Sequence, residues 1–366
     1  MKKMISLMFV LALCMVAKAD FTFGEPTNLG ATVNSSSAEI DPCISADGLE
    51  LYFHSDPPVG YGNHDLWVTR RPSPNDAWGM PINLGRTVNS SSFDGTPYIS
   101  SDGLSLFSCS PRSGGLGNAD IWVTTRPTKT EAWGPPANLG PTVNTSPNEG
   151  HPYISANGLS LYLADVVAPG ETPTRSNGYG GGDIWVSTRQ TSERMPEGYW
   201  SEPTNLGAVV NSPAYDAAPC ISSDGLMLFF HSSRTGGYGV HDIWVTRRKT
   251  PDDPWEEPVN LGPSVNTSLG DGGPALSADG KTLYFMSGAT LTSGNFDLYQ
   301  ASIIPIVDLN GDGIVDSADM VIMVEHWGTD NSLCDIGPMP WGDGIVDVED
   351  LIILAEQLFE EFPPSQ

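Results

Sequence analysis

Basic residues are scarce: 17 Lys and Arg stand against 44 Asp and Glu, a formal net charge of −27. A chain so poor in cations cannot displace counterions from phosphates, which excludes a nucleic-acid binder. Cysteine is rare, five in 366 residues, so no dense disulfide framework holds the fold. After residue 20 no apolar run approaches the ~18 residues of a transmembrane helix. What the chain does have is 40 Gly, 31 Pro, 10 Trp and 39% hydrophobic residues. That is core material with many turns, which excludes a disordered polyanion and favours many short strands.

Lys2 and Lys3 precede an apolar run from Met4 to Val16 that ends in Ala17-Lys18-Ala19. The pattern is that of a cleaved secretory signal over residues 1–19, with Asp20 the first mature residue. The run is too short for a permanent anchor, and Leu13 before Cys14 is not the small residue that lipidation favours. The expected location is secreted or cell-surface, with the periplasm as the alternative. Of the remaining cysteines, Cys43, Cys109, Cys220 and Cys334, the first and third share one position of a repeat in non-neighbouring units. Buried free thiols are therefore expected.

The words Ser-Ala-Asp47-Gly48, Ser-Ser-Asp102-Gly103, Ser-Ala-Asn157-Gly158, Ser-Ser-Asp224-Gly225 and Ser-Ala-Asp279-Gly280 recur at intervals of 55, 55, 67 and 55 residues. Each copy also carries Asn-Leu-Gly (ending at Gly30, Gly85, Gly140, Gly207 and Gly262), Val-Asn, an acid three residues before Pro, and a strand ending at Trp67, Trp122, Trp185, Trp244 or Tyr299. Asp-Gly between alternating apolar runs predicts a tight hairpin with both turn residues at positive φ. Four strands per copy, read in one copy around Pro97–Ser100, Leu104–Ser108, Asp120–Thr125 and Pro136–Leu139, predict an all-β propeller of five four-stranded antiparallel blades. The expected repeats are 31–85, 86–140, 141–207, 208–262 and 263–303 within a domain of 20–303.

The fifth copy lacks a fourth strand, while Phe23-Gly-Glu-Pro-Thr-Asn28-Leu29-Gly30 matches the fourth-strand phrase Trp78-Gly-Met-Pro-Ile-Asn83-Leu84-Gly85. The N-terminal strand is thus expected to close the last blade and remove two exposed edges. The phrase from Pro219 through Ser-Ser-Asp224-Gly225 to Arg234-Thr-Gly-Gly237, followed by Asp242-Ile243-Trp244, resembles the TolB-type, WD-like propeller repeat. This resemblance covers residues 21–303 and implies fold more than function.

Candidate function concentrates on the face of the D-to-A and B-to-C connections, because the third copy inserts extra residues there, Val166 to Gly182. That face is expected to carry an acidic column, Glu39, Asp94, Glu149, Asp216 and Asp271, which either binds a cation or basic ligand or serves every blade as a turn cap. The position before each strand-A Pro reads Asp41, Thr96, His151, Ala218 and Gly273, so Asp41 and His151 break the repeat. His54 with His64, and His231 with His241, are expected to adjoin as pairs that offer two ligands each to a transition metal. Trp78, Trp133, Trp200 and Trp255, like the strand-C tryptophans, recur too regularly to be a sugar platform and are expected between blades.

After a linker at 304–307 the composition changes, with no Lys or Arg from Asp308 to Gln366. Asp308, Asn310, Asp312, Asp316 and Asp319, with the Ile314 carbonyl, stand at the ligand positions of a calcium loop. A second unit repeats loop and helix with Asp343, Ile345, Asp347 and Asp350. In strict register, however, Met339 and Trp341 fall at its first two ligand positions, and a longer loop would recruit Asp335 instead. The tandem resembles a type I dockerin over 308–360, ahead of a tail at 361–366. That resemblance implies calcium as cofactor and a cohesin-like docking partner read by Ser317, Ala318, Val348 and Glu349.

Three functions compete: a non-catalytic exported binding or scaffold protein, a structural envelope protein, and a glycoside hydrolase using Asp41, Glu39 and Glu149. The near-identity of the blades disfavours the enzyme, whose carboxylates need distinct environments. The preferred reading is a monomeric propeller that presents a polysaccharide or peptide ligand face, with the calcium module joining it to a larger assembly.

Overall fold

The computed structural model describes residues 21–358, apart from 58, 147, 166–174, 192–199, 289–295, 311–313, 330, 332–333 and 338–344. The expected signal at 1–19, the tail at 361–366, part of the third-copy insertion, and Asp312, Met339, Trp341 and Asp343 lie outside the described residues. The chain forms a five-bladed β-propeller of antiparallel four-stranded blades followed by two short helices.

Blade 1 runs Glu39–Ile44, Glu50–Ser55, Asp65–Arg70, Ile82–Asn83, and blades 2 to 4 repeat that order from Gly95, Glu149 and Asp216. Blade 5 takes Asp271–Leu276, Thr282–Ser287 and Asp297–Pro305 from the end of the repeat and Thr27–Asn28 from the N-terminus. Phe21–Phe23 extends the closure by pairing with Ile303–Pro305. The expected linker is shorter than predicted, because the last strand continues to Pro305 and Val307 is already buried in the next core.

The Asp-Gly hairpins differ from expectation. Only the glycine lies at positive φ (Gly48, +71°), where it closes the turn by donating to the Ser45 carbonyl, while Asp47 accepts from Ser45 Oγ and the Leu49 N–H. The aspartate is chosen for its side-chain hydrogen bonds and not for a left-handed backbone.

A pair of asparagines ties each blade to the next. In blade 1, Asn89 Nδ2 donates to the Leu66 carbonyl at 3.1 Å, its Oδ1 accepts the Leu66 N–H at 2.9 Å, and Asn83 Nδ2 donates to Asp65 at 2.8 Å. The Asn89 amide thus continues the ladder past a two-residue strand: it pairs the buried Leu66 N–H, which would otherwise be orphaned, and shares the Leu66 carbonyl with the Leu84 N–H. Asn144, Asn211 and Asn266 do the same for Ile121, Ile184 and Ile243. Across the closure Asn34 clasps Leu298 at 2.9 and 3.0 Å and Asn28 holds Asp297 at 2.9 Å.

Between neighbouring blades lie five apolar clusters, each drawing on two blades, and a sixth belongs to the C-terminal helices. The tryptophans before Asn-Leu-Gly sit at these seams, each beneath an arginine: Arg71 over Trp78, Arg126 over Trp133, Arg189 over Trp200 and Arg248 over Trp255, at 4.2 to 4.6 Å. Each of these arginines also donates Nε to the carbonyl of the hairpin glycine. The few cations of this chain are thereby spent inside blades. Cys43, Cys109, Cys220 and Cys334 are buried free thiols.

Replacing Asn34 with Ala leaves the buried Leu298 N–H without its partner, while the Leu298 carbonyl keeps only the Leu29 N–H, an expected loss of about 1–3 kcal/mol. Urea unfolding followed by Trp fluorescence should show the lower midpoint. A change within roughly 0.5 kcal/mol, typical of an exposed surface substitution, would refute the closing role of this clasp.

Candidate functional site

Every strand A carries a β-bulge at the residue before its proline. Proline supplies no N–H to the ladder, and the preceding residue stands in the left-handed region: Asp41 at +51°, Thr96 at +49°, His151 at +48°, Ala218 at +52° and Gly273 at +57°. The non-glycine residues store backbone strain there. The bulge turns these five side-chain positions onto the propeller axis. With the following prolines and Cys43, Tyr98, Tyr153 and Ala275 they enclose a cavity of about 40 Å³. Tyr98 and Tyr153 lie ring to ring at 3.9 Å in the lower tier.

Five of the six histidines gather around Asp41. Asp41 Oδ2 lies 3.1 Å from His54 Nε2 and 3.6 Å from His151 Nε2. His54 Nδ1 meets His64 Nδ1 at 3.3 Å, and His231 and His241 are 5.5 Å apart, so the two pairs read from the sequence do adjoin. His151 stands edge-on to His231 at 5.6 Å and joins the pairs across the axis. Phe93 packs against His54 and His64, and Tyr215 against His231 and His241. Blade 5 makes the room. A Cβ on Gly273 would fall 2.8 Å from Asp41 Oδ1, and one on Gly272 2.6 Å from His231 Nδ1.

Burial opposes ionisation of Asp41, but the field of His151 and the hydrogen bond and field of His54 outweigh it and hold the carboxyl at about 2. Burial pushes His231 down to about 3, aided by His151 and His241, and burial also lowers His64, His151 and His241. Near neutral pH the axis therefore holds the Asp41 carboxylate beside neutral imidazoles at His64, His151, His231 and His241. Buried and without a hydrogen-bond partner are Asp41 Oδ1, His151 Nδ1, His231 Nε2 and His241 Nδ1. Among the described residues no three His, Cys, Asp or Glu side chains are placed to hold a metal ion.

The acidic column is elsewhere. Glu39, Asp94, Glu149, Asp216 and Asp271 are buried at the first or preceding residue of strand A and do not line the axial cavity. Each accepts the N–H of the residue four positions back: Ser35, Ser90, Thr145, Ser212 and Thr267. Arg112, Arg175 and Arg234 complete three of these brackets. Glu39 and Glu149 are thus kept apart from Asp41, each bound within its own turn. Blade 3 alone places a second acid, Asp165, where the other blades have Ser55, Ser110, Ser232 and Ser287. Arg175 serves both, at 2.9 Å from Glu149 and 3.0 Å from Asp165.

In the C-terminal unit the helices Ser317–Glu325 and Val348–Glu356 open with matching capping boxes. Asp319 accepts the N–H groups of Leu309, Asn310 and Asp316, and Asp350 those of Ile336, Gly337 and Asp347. This equivalence pairs Leu309 with Ile336, and so Asp308 with Asp335. The second loop is the longer one, and Asp335 stands where strict spacing would put Met339. Ser317, Ala318, Val348 and Glu349 lie in the first turns, with Val348 exposed.

No family model and no curated protein matches the chain. Among solved structures it is similar to TolB from Acinetobacter baumannii (12% identity, TM-score 0.41, 73% of this chain and 55% of that one). It is also similar to an alpha-L-arabinofuranosidase from Lactobacillus brevis (13%, 0.49, 75% and 94%) and to a GH43_1 enzyme from Xanthomonas citri complexed with xylotriose (14%, 0.48, 76% and 89%). This chain thus spans about half the length of the Acinetobacter protein. Values this low carry no inference about activity.

The doubled acid of blade 3 has a measurable consequence. Burial pushes Glu149 up to about 7 against its Thr145 and Arg175 bonds, and Asp165 up to about 6 against Arg175 and Trp185. A carboxyl with a raised folded pKa stabilises fully below its unfolded value and loses that contribution as pH rises through the folded one. Stability should therefore fall between about pH 4 and pH 7, and Asp165→Ser, which restores the residue of the other blades, should flatten that fall. Urea midpoints at pH 5 and pH 8 check this; an unchanged difference in the variant would disprove it.

Proposed function

We propose that this chain is an exported, non-catalytic binding protein whose propeller holds a ligand over the axial Asp41–histidine cluster and whose C-terminal unit attaches it to a larger assembly. The observation that carries the reading is the convergence of Asp41 and five imidazoles on one axis, with buried polar atoms left unpaired. Buried polar groups without partners are rare in folded proteins and mark places where another molecule completes the set.

Hydrolysis of a glycosidic bond by the usual route needs two carboxylates facing the same substrate. Asp41 is the single carboxylate lining the axial cavity. Glu149 is held by Thr145 and Arg175, and Glu39 by Ser35 and Ser55. Both serve their turns, which favours binding over cleavage.

For the C-terminal unit the donor chemistry fits calcium. Its acids meet no Lys or Arg in the sequence from Asp308 onward, and the donors are all oxygen: Asp308, Asn310, Asp316 and the Ile314 carbonyl in the first loop, Asp335 and Asp347 with the Ile345 carbonyl in the second. A bound cation would relieve the repulsion and fix loops whose helices share a small core. The paired first turns would then present Ser317, Ala318, Val348 and Glu349 to a cohesin-like partner.

Two experiments test these readings. Calcium titration of the full chain by calorimetry should give two sites, with Asp335→Ala reducing the count to one; a count of two in that variant would remove the long-loop assignment. Saturating calcium at about 100 times Kd should stabilise the unit by about 2.7 kcal/mol for each occupied site. Separately, the purified protein is incubated with plant, algal and bacterial polysaccharides, scoring retention and new reducing ends. Retention without cleavage is expected if the ligand is a glycan, retention on none would leave peptides, and cleavage abolished by Asp41→Asn would overturn the non-catalytic reading.

A further inference from the structure

The proposed axial site has a charge, a size and a surrounding face that together select a ligand class. Asp41 is 9% exposed, yet among the described residues the charged or polar side chains that approach its oxygens are imidazoles, whereas the buried acids Asp94, Glu149 and Asp216 each have an arginine. His54 Nε2 donates to Oδ2 at 3.1 Å, His151 Nε2 lies 3.6 Å from the same oxygen, and Nδ1 of the neutral His151 is an unpaired acceptor. Asp41 Oδ1 is a second unpaired acceptor. His231 Nδ1 takes a long bond of 3.5 Å from the Gly273 N–H, which makes its Nε2 the donor. An anion is repelled by this set, and Asp41 Oδ1, a buried carboxylate oxygen with no donor, is open to the N–H of a cation.

The cavity of about 40 Å³ sets the size. Its narrowest part admits a few water-sized groups. A slim chain ending in a cation with several N–H donors fits beside Asp41 and His151, the carboxylate and the imidazole that line the cavity, while Phe93 and Tyr215 stand outside it against His54 and His231.

The face around the axis shows where that chain would come from. At one repeat position of the B-to-C loops stand Tyr61, Leu116, Tyr179 and Tyr238, 40 to 52% exposed, with Val59 and Val240 more exposed still. Large apolar side chains at the same exposed position in four blades are not needed by the core, and they fit a polypeptide surface. The chain's net charge of −27 favours a basic partner.

We propose that the axial site takes an alkylammonium group, supplied by a lysine side chain of a protein partner seated on the tyrosine-bearing face. The inference rests on the reading of the axis as a binding site. The test records imidazole 1H–15N NMR spectra of the full chain during titration with N-acetyl-lysine methylamide, with cadaverine as the free-amine source and N-acetyl-norleucine methylamide as the uncharged control. Saturable shifts of the axial histidines with the lysine derivative, at least tenfold weaker with norleucine and with the Asp41→Asn variant, are expected. Tighter binding of cadaverine than of the lysine derivative would overturn the protein source. Equal binding of norleucine, no response to either amine, or a response to Zn²⁺ alone would overturn the alkylammonium assignment. The norleucine comparison is made on the unmodified protein, so it decides the matter even if the variant misfolds. The same signals, followed with xylotriose and neutral peptides, show whether the axis binds anything, which separates failure of the amine from failure of the site.

Discussion

The buried amide of the Val-Asn asparagine is the constraint on which the ring depends. A fourth strand of two residues is too short to satisfy the strand inside it, so the following connection must supply donors and acceptors from a side chain. Asparagine has both on one planar group, spaced like a peptide. Because Asn34 makes the same clasp from the N-terminus as Asn89, Asn144, Asn211 and Asn266 make from within, the seam between first and last blade is chemically like the others. A closed ring has no free sheet edge there, and five bulges can then converge on a shared axis.

That convergence explains why near-identical blades do not yield a symmetric centre. Turn brackets, hairpins and arginine-covered tryptophans serve every blade and so recur. The residue before each strand-A proline faces the axis, where five blades share one small space and only a few side chains fit. Blade 1 places Asp41 there and blade 3 His151, while blades 4 and 5 give way with Ala218 and Gly273. The asymmetry is thus a packing solution as well as a chemical one: the carboxylate can be buried because glycine and alanine oppose it.

Much of this was legible in the sequence, for a physical reason. Repeats multiply every local signal, so the blade count, the closing strand and the adjoining histidine pairs followed from spacing alone. What spacing could not convey was radial depth. Glu39 and Asp41 are two residues apart, yet one is locked in a turn and the other lies on the axis, because the bulge between Ile40 and Cys43 changes which way the chain faces. The sharing of Arg175 by Glu149 and Asp165 occurs in one blade and left no periodic trace. In the C-terminal unit it was the backbone bonds of Asp319 and Asp350, and not the ligand spacing, that set the register of the longer loop.

The closing clasp also governs the order in which the molecule can be assembled. Asn28 and Asn34 must wait for Asp297 and Leu298, contacts that span 269 and 264 residues. The first strand to leave the ribosome is therefore among the last to find its neighbours, and until blade 5 exists the first and last blades each present an unpaired side to solution. Contacts of such long sequence separation slow folding and lengthen exposure to wrong partners. For a chain expected to cross a membrane before it folds, that delay is an advantage: a ring that cannot close early stays threadable until its final blade has been delivered.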